Sequence, residues 1–437
     1  MRFTASEIAA AADGTLSGPD RPCIGAAIDS RTIAAGALFV PVVAERNGHE
    51  FIPAALSAGA AAYLTSEGPA ADASDGTAIT VVDTVDALSR LGAVARDRLP
   101  DRVIGITGSV GKTSVKDLAA AALASTFRTA ASEKSFNNEL GVPLTLVNAP
   151  DDTEAAVVEM GARGAGHIAS LCPVVRPTIG VVTTVGAAHT ELFGTVEDVA
   201  QAKGELIEAV PADGTAVLNA EHPLVAAMAS RTEARVLTFG RESGDVRAAD
   251  VELDAELRPR FRLLSPWGEA EVALAVHGDH NVVNALAAAA IALAAGSSPE
   301  AAAAGMATAA LSPWRMEITT TERGAVVIND AYNANPMSMT SALRSLAAIE
   351  ADRRVAVVGM MAELGVEERE EHEAIARLAD DLSIELIVVG TDLYGRPPVA
   401  DHHAAAEALG PVDRGDAVLV KGSRVAGLEE LAVRLLA

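Results

Sequence analysis

The sequence is poor in aromatic residues, in cysteine and in positive charge. Aromatic side chains make up 3% of the 437 residues, so aliphatic side chains and alanine must build the hydrophobic cores. The two cysteines, Cys23 and Cys172, are too few for a disulfide framework and indicate a reducing compartment. Acidic residues outnumber lysine and arginine by 59 to 34, and the net charge of −25 argues against a nucleic-acid partner. Phosphate groups must therefore be bound by local features, such as helix N-termini and single basic side chains.

Long hydrophobic runs are missing as well. The longest, Ala285–Ala295, is too short to cross a bilayer. The first fourteen residues contain Glu7 and lack a sustained apolar core, so they do not read as a signal peptide. These observations predict a cytoplasmic protein without membrane insertion, and its length predicts about three domains.

The strongest functional signal lies between the apolar run Val103–Ile106 and the helical segment Val115–Ala124. The turn between them reads Thr107-Gly108-Ser109-Val110-Gly111-Lys112-Thr113-Ser114. Its glycines allow backbone N–H groups to approach phosphate oxygens, and the helix N-terminus adds partial positive charge. Lys112 can reach the β- and γ-phosphates, and the Thr113 hydroxyl can ligate Mg²⁺. The turn therefore predicts a nucleoside triphosphate site.

The order of strands and helices predicts an α/β protein of three domains. Residues 1–98 form a small N-terminal α/β domain, in which Thr4 and Glu7 give a capping box. In residues 99–312, strands alternate with helices, which predicts a central phosphate-loop domain with a parallel sheet. Short strands from Arg235 to Ala275 read as a separate β-rich stretch of this domain. Residues 313–437 again alternate strands with helices and predict a doubly wound C-terminal α/β domain.

Polar residues follow several predicted strands, where sheets of this class bind ligands. Glu159 ends an apolar strand and can hold Mg²⁺ or cap the next helix. Asn137 and Asn138, before a Gly-x-Pro turn, suit a loop that orients a polar ligand. The segment Asp330–Pro336 and Lys421 follow two strands of the C-terminal domain.

Other candidate residues have two interpretations each. Asn281 can cap the helix that it begins, or face a nucleotide base. His189 is a structural histidine or a ligand, since a lone histidine is more often structural. Lys203 is a solvated lysine of an amphipathic helix or a site residue. The Asp29-Ser30-Arg31 turn is a solvated turn or part of a binding site.

Taken together, these strings resemble the Mur ligase family over nearly the whole chain. The resemblance rests on the phosphate loop and on further strings at matching positions: Asp29-Ser30-Arg31, Phe136-Asn137-Asn138-Glu139, Glu159-Met160-Gly161, His280-Asn281, Arg315-Met316-Glu317, Asp330-Ala331-Tyr332-Asn333-Ala334-Asn335-Pro336 and Lys421-Gly422-Ser423-Arg424. Members of this family are ATP-dependent, amide-forming enzymes of cell-wall synthesis.

The resemblance implies a role for each matching residue. ATP would be bound by Gly108, Ser109, Gly111, Lys112, Thr113, Ser114, Asn281, Arg315, Asp330 and Tyr332. Mg²⁺ would be bound by Thr113, Glu159, His189 and Lys203, the last as a carbamate. Lys112, Lys203, His189 and Glu159 would be catalytic. The other substrates would meet Ser30, Arg31, Asn137, Asn138, Asn333, Asn335 and Lys421.

The implied reaction joins D-alanyl-D-alanine to UDP-N-acetylmuramoyl-tripeptide through an acyl phosphate, in peptidoglycan synthesis. The implied cofactors are ATP and Mg²⁺, and a monomer acting on small molecules is expected. The alternative is a divergent ligase of the same family that joins another carboxylate and amine. A phosphate-loop GTPase does not fit, because the chain has no Asn-Lys pair for guanine recognition.

Overall fold

The computed structural model describes residues 1–70, 76–186 and 193–436. At the N-terminus, strands β1 (Arg2–Thr4) and β3 (Pro22–Ile24) pair antiparallel. The predicted capping box opens helix α1 (Ala5–Ala11). A five-stranded sheet follows in the order β2-β7-β6-β5-β4. Its strands and the two remaining helices are β2 (Thr15–Ser17), β4 (Ala26–Ala27), β5 (Leu38–Phe39), β6 (Ala62–Thr65), β7 (Thr77–Thr80), α2 (Ile52–Ser57) and α3 (Thr84–Asp97).

The central sheet has six parallel strands in the order β13-β12-β11-β8-β10-β9. The strands are β8 (Val103–Thr107), β9 (Thr129–Ala131), β10 (Ala155–Glu159), β11 (Ile179–Val182), β12 (Thr215–Asn219) and β13 (Arg235–Phe239). Every residue of β8 and β10 is buried, as expected for strands covered on both faces. The helices of this part are α4 (Lys112–Ala124), α5 (Gly141–Asn148), α6 (His167–Val175), α7 (Val196–Glu208), α8 (Pro223–Ala226), α9 (Asn281–Ala294) and α10 (Pro299–Met306).

Two local predictions for this region were wrong. Arg235–Phe239 is the edge strand of the parallel sheet and not part of the β-rich stretch. That stretch is an antiparallel meander of β14 (Arg247–Leu253), β15 (Pro259–Ser265) and β16 (Gly268–Ala273). The predicted loop with the Gly-x-Pro turn becomes α5 from Gly141, because Pro143 lies in the first helical turn, where its missing N–H costs nothing.

The C-terminal sheet confirms the doubly wound prediction and adds an antiparallel edge strand. Its order is β17-β18-β21-β19-β20, and only β17 runs antiparallel to its neighbour. Its strands are β17 (Glu317–Thr320), β18 (Val326–Asn329), β19 (Arg353–Val358), β20 (Glu385–Val388) and β21 (Asp416–Lys421). Its helices are α11 (Pro336–Ala348), α12 (Glu368–Asp381), α13 (His402–Leu409) and α14 (Glu429–Leu436).

The three parts of the chain are joined unequally. One hydrophobic core runs from Met1 to Leu206 and includes side chains of the N-terminal sheets and of the central sheet. The C-terminal sheet instead packs against two cores that lie almost wholly within residues 316–432. Within the described residues, no helix has both the length and the apolar character needed to span a membrane.

Candidate active site

The carboxyl ends of β8 and β10 face those of β18 and β21 across a cavity of about 1120 Å³. Most residues predicted for the site line this cavity: Ser109, Gly111, Lys112, Thr113, Ser114, Asn137, Asn138, Glu159, Lys203, Arg315, Asp330, Tyr332, Asn333, Asn335 and Lys421. Residues from two separate sheets therefore meet in one place, as expected for ligands bound at strand carboxyl ends.

The phosphate loop turns tightly between β8 and α4. Gly108 has φ of 150°, and a Cβ atom there would lie 1.9 Å from Thr183 Oγ1, so the position requires glycine. Thr184 fixes the loop from β11, since its carbonyl accepts from Ser109 N (2.8 Å) and its hydroxyl from Val110 N (3.0 Å). The loop is thus held open at the N-terminus of α4, where anions bind.

Lys112 folds back over the loop and donates from Nζ to the Gly108 carbonyl at 2.7 Å. Burial lowers the pKa of this ammonium; nearby Glu159 raises it and Arg315 lowers it further. A buried cation with one close carbonyl partner is available to an incoming phosphate.

Glu159 is fully buried at the end of β10, and its contacts exclude the helix-cap interpretation. It accepts from Thr113 Oγ1 and from Asn137 Nδ2, both at 2.8 Å. The Ser135 hydroxyl lies 3.2 Å from Thr113 Oγ1. A hydroxyl and a carboxylate side by side are the oxygen donors that Mg²⁺ prefers.

Lys203 on α7 is also buried, at 2% exposure, so it is not the solvated lysine of an amphipathic helix. Burial, with a smaller contribution from Lys112, lowers the pKa of its amine to about 7. Glu205, two residues along the same helix, accepts from Gly166 N and Ala169 N at the start of α6. The Phe193 ring lies beside the amine, 6.0 Å from Nζ to the ring centroid.

Arg315 reaches from the C-terminal part of the chain into the central site. Its Nη2 donates to Thr113 Oγ1 and to Ser135 Oγ, both at 3.0 Å, and its guanidinium stacks on Tyr332 at 4.1 Å. Its buried Nε has no partner among the described residues. The cation is therefore placed beside the phosphate loop with hydrogen-bonding capacity to spare.

Asp330 and Lys421 form a buried pair at the ends of β18 and β21, with Nζ 2.6 Å from Oδ2. The other Asp330 oxygen accepts from Met316 N at 3.1 Å, next to Arg315. Lys421 also donates to the Asn333 carbonyl at 2.9 Å. The pair thus orders the loops that carry Arg315, Tyr332 and Asn333.

Two predicted asparagines have clear structural partners besides lining the cavity. Asn335 caps α11, since its side chain accepts from Ser338 N at 2.9 Å in a reciprocal capping box. Asn138 accepts from Gly141 N at 3.0 Å at the start of α5. For both, a structural role at the start of a helix therefore has direct support.

Four predicted residues are not brought into the cavity lining. Gly108 lies behind its own loop and contributes the carbonyl that holds Lys112. Asn281 is fully buried below the cavity and bonds to His277 and Asn284, so it neither caps α9 nor faces the cavity. Ser30 and Arg31 lie in the N-terminal part of the chain. The exposed Arg31 side chain pairs there with Asp29 and lowers the pKa of the Asp29 carboxyl to about 2.

His189 lies outside the described residues. Among those residues, no group of three or more His, Cys, Asp and Glu side chains is arranged to hold a metal ion.

Sequence reasoning missed Asn284 and Ser135, which both line the cavity. Asn284 points at the phosphate loop, because a Cβ on Gly111 would lie 2.7 Å from its Oδ1. A signal was present for Asn284, which lies three residues after Asn281 and matches the family in the same string, His280-Asn281-x-x-Asn284, although no role was assigned to it. Ser135 had no local signal, since only the fold places it next to Thr113.

Fold and site together define a class: a three-part α/β enzyme with a phosphate-loop nucleotide site completed by a C-terminal domain. Two family models match the chain, the Mur ligase middle domain over residues 106–292 and the Mur ligase glutamate ligase domain over residues 314–424. A UDP-N-acetylmuramoyl-tripeptide–D-alanyl-D-alanine ligase from Mycobacterium tuberculosis is 43% identical, covering 94% of this chain and 91% of that protein.

Solved structures agree. MurF from Acinetobacter baumannii superposes with a TM-score of 0.88 at 28% identity, covering 100% of this chain and 99% of the other. MurF from Thermotoga maritima in complex with ADP superposes with a TM-score of 0.81 at 26% identity, covering 94% of this chain and 97% of the other. The chain belongs to the Mur ligase family, in the group whose curated members are UDP-N-acetylmuramoyl-tripeptide–D-alanyl-D-alanine ligases.

Proposed function

We propose that this protein is an ATP-dependent, ADP-forming ligase that joins D-alanyl-D-alanine to UDP-N-acetylmuramoyl-tripeptide in peptidoglycan synthesis. The observation that carries the proposal is the meeting of Lys112 and Thr113 with Arg315, Asp330 and Lys421 in one cavity. A ligase of this kind must hold a nucleotide, a carboxylate and an amine together, and the cavity is bordered by two sheets that can each supply ligands.

The proposed reaction explains why the cations Lys112 and Arg315 lie in the same cavity. Amide formation from a carboxylate and an amine is uphill in water, so the carboxylate first attacks the γ-phosphorus of ATP and ADP leaves. Lys112 and Arg315 offset the negative charge that builds up between carboxylate and phosphate. The amine nitrogen, after losing its proton, then attacks the acyl phosphate carbon, and the tetrahedral intermediate expels phosphate. Enclosure between the two parts of the chain keeps water from hydrolysing the acyl phosphate.

Magnesium fits the residues that are present. Thr113 Oγ1 and the Glu159 carboxylate are adjacent, buried oxygen donors, and the second Glu159 oxygen is oriented by Asn137. These residues would hold Mg²⁺ together with ATP phosphates. Bound there, the ion would neutralise phosphate charge during phosphoryl transfer.

We further propose that Lys203 carries a carbamate. A buried amine is costly to keep as a cation, and the other cation Lys112 makes it more so. Reaction of the neutral amine with CO₂ forms an N–C bond, releases a proton and leaves an anion with two oxygens. That group would suit a second Mg²⁺, with His189 as a proposed further ligand.

The remaining assignments complete the proposal. Small-molecule substrates follow from the family, and we propose a cytoplasmic monomer. Ser30 and Arg31 would bind the uridine nucleotide, while Asn137, Asn138, Asn333, Asn335 and Lys421 would contact the tripeptide or the dipeptide. ATP contacts are proposed for the phosphate loop, Arg315, Asp330 and Tyr332. Asn281 would act indirectly, by accepting from Asn284 Nδ2 and orienting that side chain.

Phosphate release tests the reaction. With UDP-muramoyl-tripeptide and Mg·ATP, release should require D-alanyl-D-alanine and match the amount of ligated product seen by mass spectrometry. Release that ignores the dipeptide contradicts the proposal. Activity that appears only with another carboxylate and amine supports a divergent ligase of the same family.

A further inference from the structure

Two adjacent residues on α4, Lys116 and Asp117, form a buried ion pair just beyond the phosphate loop. Lys116 Nζ lies 2.6 Å from Asp117 Oδ1, and the side chains are 3% and 11% exposed. Neither residue lines the cavity. A buried charged pair is weak evidence for a role in stability, because desolvation offsets much of the attraction. The role of this ion pair is therefore better judged from the contacts that Lys116 and Asp117 make with other parts of the chain.

Lys116 holds the segment that follows β9. Its Nζ donates to the Ser132 carbonyl at 2.8 Å and to the Lys134 carbonyl at 3.1 Å. Lys134 has φ of 48°, which is unfavourable for a residue with a side chain and needs such support. The next residue is Ser135, whose hydroxyl lies 3.2 Å from Thr113 Oγ1. Lys116 thus sets the distance between Ser135 and the phosphate loop.

Asp117 holds the connection to the C-terminal part of the chain. Its Oδ2 accepts from Ser312 N at 2.7 Å, across 195 residues of sequence. Three residues later comes Arg315, whose guanidinium contacts both Thr113 and Ser135. The two neighbours of Arg315 have left-handed backbones, with φ of 62° at Trp314 and 51° at Met316. This strained turn must be held at both ends, and Asp330 holds the far end through Met316 N.

We infer that Lys116 and Asp117 are a pair of positioning residues for the nucleotide site. The pair joins the Ser135 segment and the Ser312 connection to the helix that carries Thr113, so that Arg315, Ser135 and Thr113 come together. The inference rests on the proposed nucleotide site and is independent of which amine the enzyme uses. Neither residue touches the reacting atoms; both act through Ser135 and Arg315.

The test uses a reporter that the sequence provides. The chain has two tryptophans, and Trp267→Phe leaves Trp314, two residues after Ser312, as the sole tryptophan, which can be excited selectively over tyrosine. In this background we compare Asp117→Ala, Asp117→Asn and Lys116→Met with Asp152→Asn, which removes an exposed ion pair to Arg128 beside β9. Four quantities are measured: kcat, ADP affinity, Trp314 emission and melting temperature.

Asp117→Ala and Lys116→Met should lower kcat ~10- to 100-fold, because a shift of about 1 Å in a positioned group has effects of that order. ADP affinity should fall less than kcat, since Lys112 and the loop remain and only the contact from Arg315 is disturbed. Asp117→Ala should also shift Trp314 emission to the red. Asp117→Asn keeps a weaker, neutral acceptor for Ser312 N and should fall between wild type and Asp117→Ala. Asp152→Asn should behave as wild type.

A purely structural pair gives a different result. The inference is overturned if the α4 variants melt at lower temperature while their folded fraction keeps wild-type kcat and Trp314 emission. Should Asp117→Ala not fold, Asp117→Asn decides alone, since wild-type kcat there also overturns the inference. Trp314 emission needs neither tripeptide nor dipeptide, so it tests the pair even if the ligase assay yields no product.

Discussion

Two buried amines, Lys112 and Lys203, line the same cavity, and Lys112 lies close enough to affect the pKa of Lys203. Burial lowers the pKa of both, and the charge of Lys112 lowers that of Lys203 further. Two like charges in a buried site need an anion between them or the loss of one proton. In the proposed enzyme, the phosphates of ATP would supply the anion for Lys112, and a carbamate would remove the positive charge of Lys203.

Replacing Lys112 with alanine should reduce turnover by at least ~10²-fold, by analogy with the loss of one preorganised electrostatic contact. The fold should remain, because within the described part of the chain Lys112 bonds only to carbonyls of its own loop. Turnover and melting temperature are measured on the same preparation. A variant that melts normally and turns over at the wild-type rate would refute the phosphate-site assignment.

If Lys203 is carbamylated, the activity of the enzyme should depend on carbon dioxide. Wild-type activity should fall in carefully degassed buffer and return with added bicarbonate. Lys203→Ala should lose most activity, and short carboxylic acids should restore part of it by replacing the carbamate oxygens. Lys203→Arg tests the alternative hypothesis, in which Lys203 is unmodified and a positively charged side chain at this position is sufficient for activity. An active arginine variant, together with no rescue of Lys203→Ala, would dispose of the carbamate.

Among the elements, α11 shows how one side chain can serve both the fold and the site. Asn335 begins this helix and closes its capping box with Ser338, while the same residue lines the cavity. Capping residues satisfy N–H groups that the helix itself leaves unpaired. Stability and substrate contact must therefore be separated by the choice of substitution.

Asn335→Gln should lower the free energy of unfolding by about 1 kcal/mol, because the longer side chain no longer caps α11. Asn335→Asp keeps the cap and should melt close to wild type. Chemical denaturation and steady-state kinetics are measured for both. Reduced turnover in the aspartate variant indicates a substrate contact, whereas wild-type turnover in both variants assigns Asn335 to the cap alone.

The whole molecule is built from one continuous unit and one separately packed unit. The N-terminal and central parts share a core, and Arg96 of α3 adds a polar connection between them. Its buried guanidinium donates to the carbonyls of Val175, Arg176 and Leu99, which ties α3 to the C-terminus of α6. The C-terminal part has its own cores and meets the central part at the cavity.

Arg96→Met should destabilise the protein by about 3 kcal/mol, since it leaves buried carbonyls without donors. Turnover of the folded enzyme should stay unchanged, because Arg96 is not part of the cavity. Arg90→Met on the same helix removes an exposed pair with Asp86 and should change stability by less than about 0.5 kcal/mol. Equal effects of the two substitutions in urea denaturation would contradict this role for Arg96.

Nucleotide binding should join the two units. With Mg·ADP, hydrogen exchange should slow in the phosphate loop, residues 108–114, and also in residues 314–316 and 330–333. Arg315→Ala should keep the first protection and lose most of the second. Protection confined to the phosphate loop would show that the nucleotide does not bridge the units.

Short-range features could be predicted from the sequence alone. Strand β8, the phosphate loop and the Thr4–Glu7 capping box depend on residues within a few positions of one another, and they were found as predicted. The family assignment followed from strings of the same kind. The alternation of strands with helices likewise predicted a parallel central sheet and a doubly wound C-terminal one, because parallel strands need a crossover connection, usually a helix, between them.

The tertiary structure alone decided which of these residues meet. Arg315 lies 202 residues from Thr113, and Asp117 lies 195 residues from Ser312, so no local pattern reports either contact. It also separated the buried Asn281 from the cavity and brought Ser135 into it. Such contacts depend on how sheets and helices pack across the whole chain, since the energy of one side-chain contact is small beside that of the cores that position it.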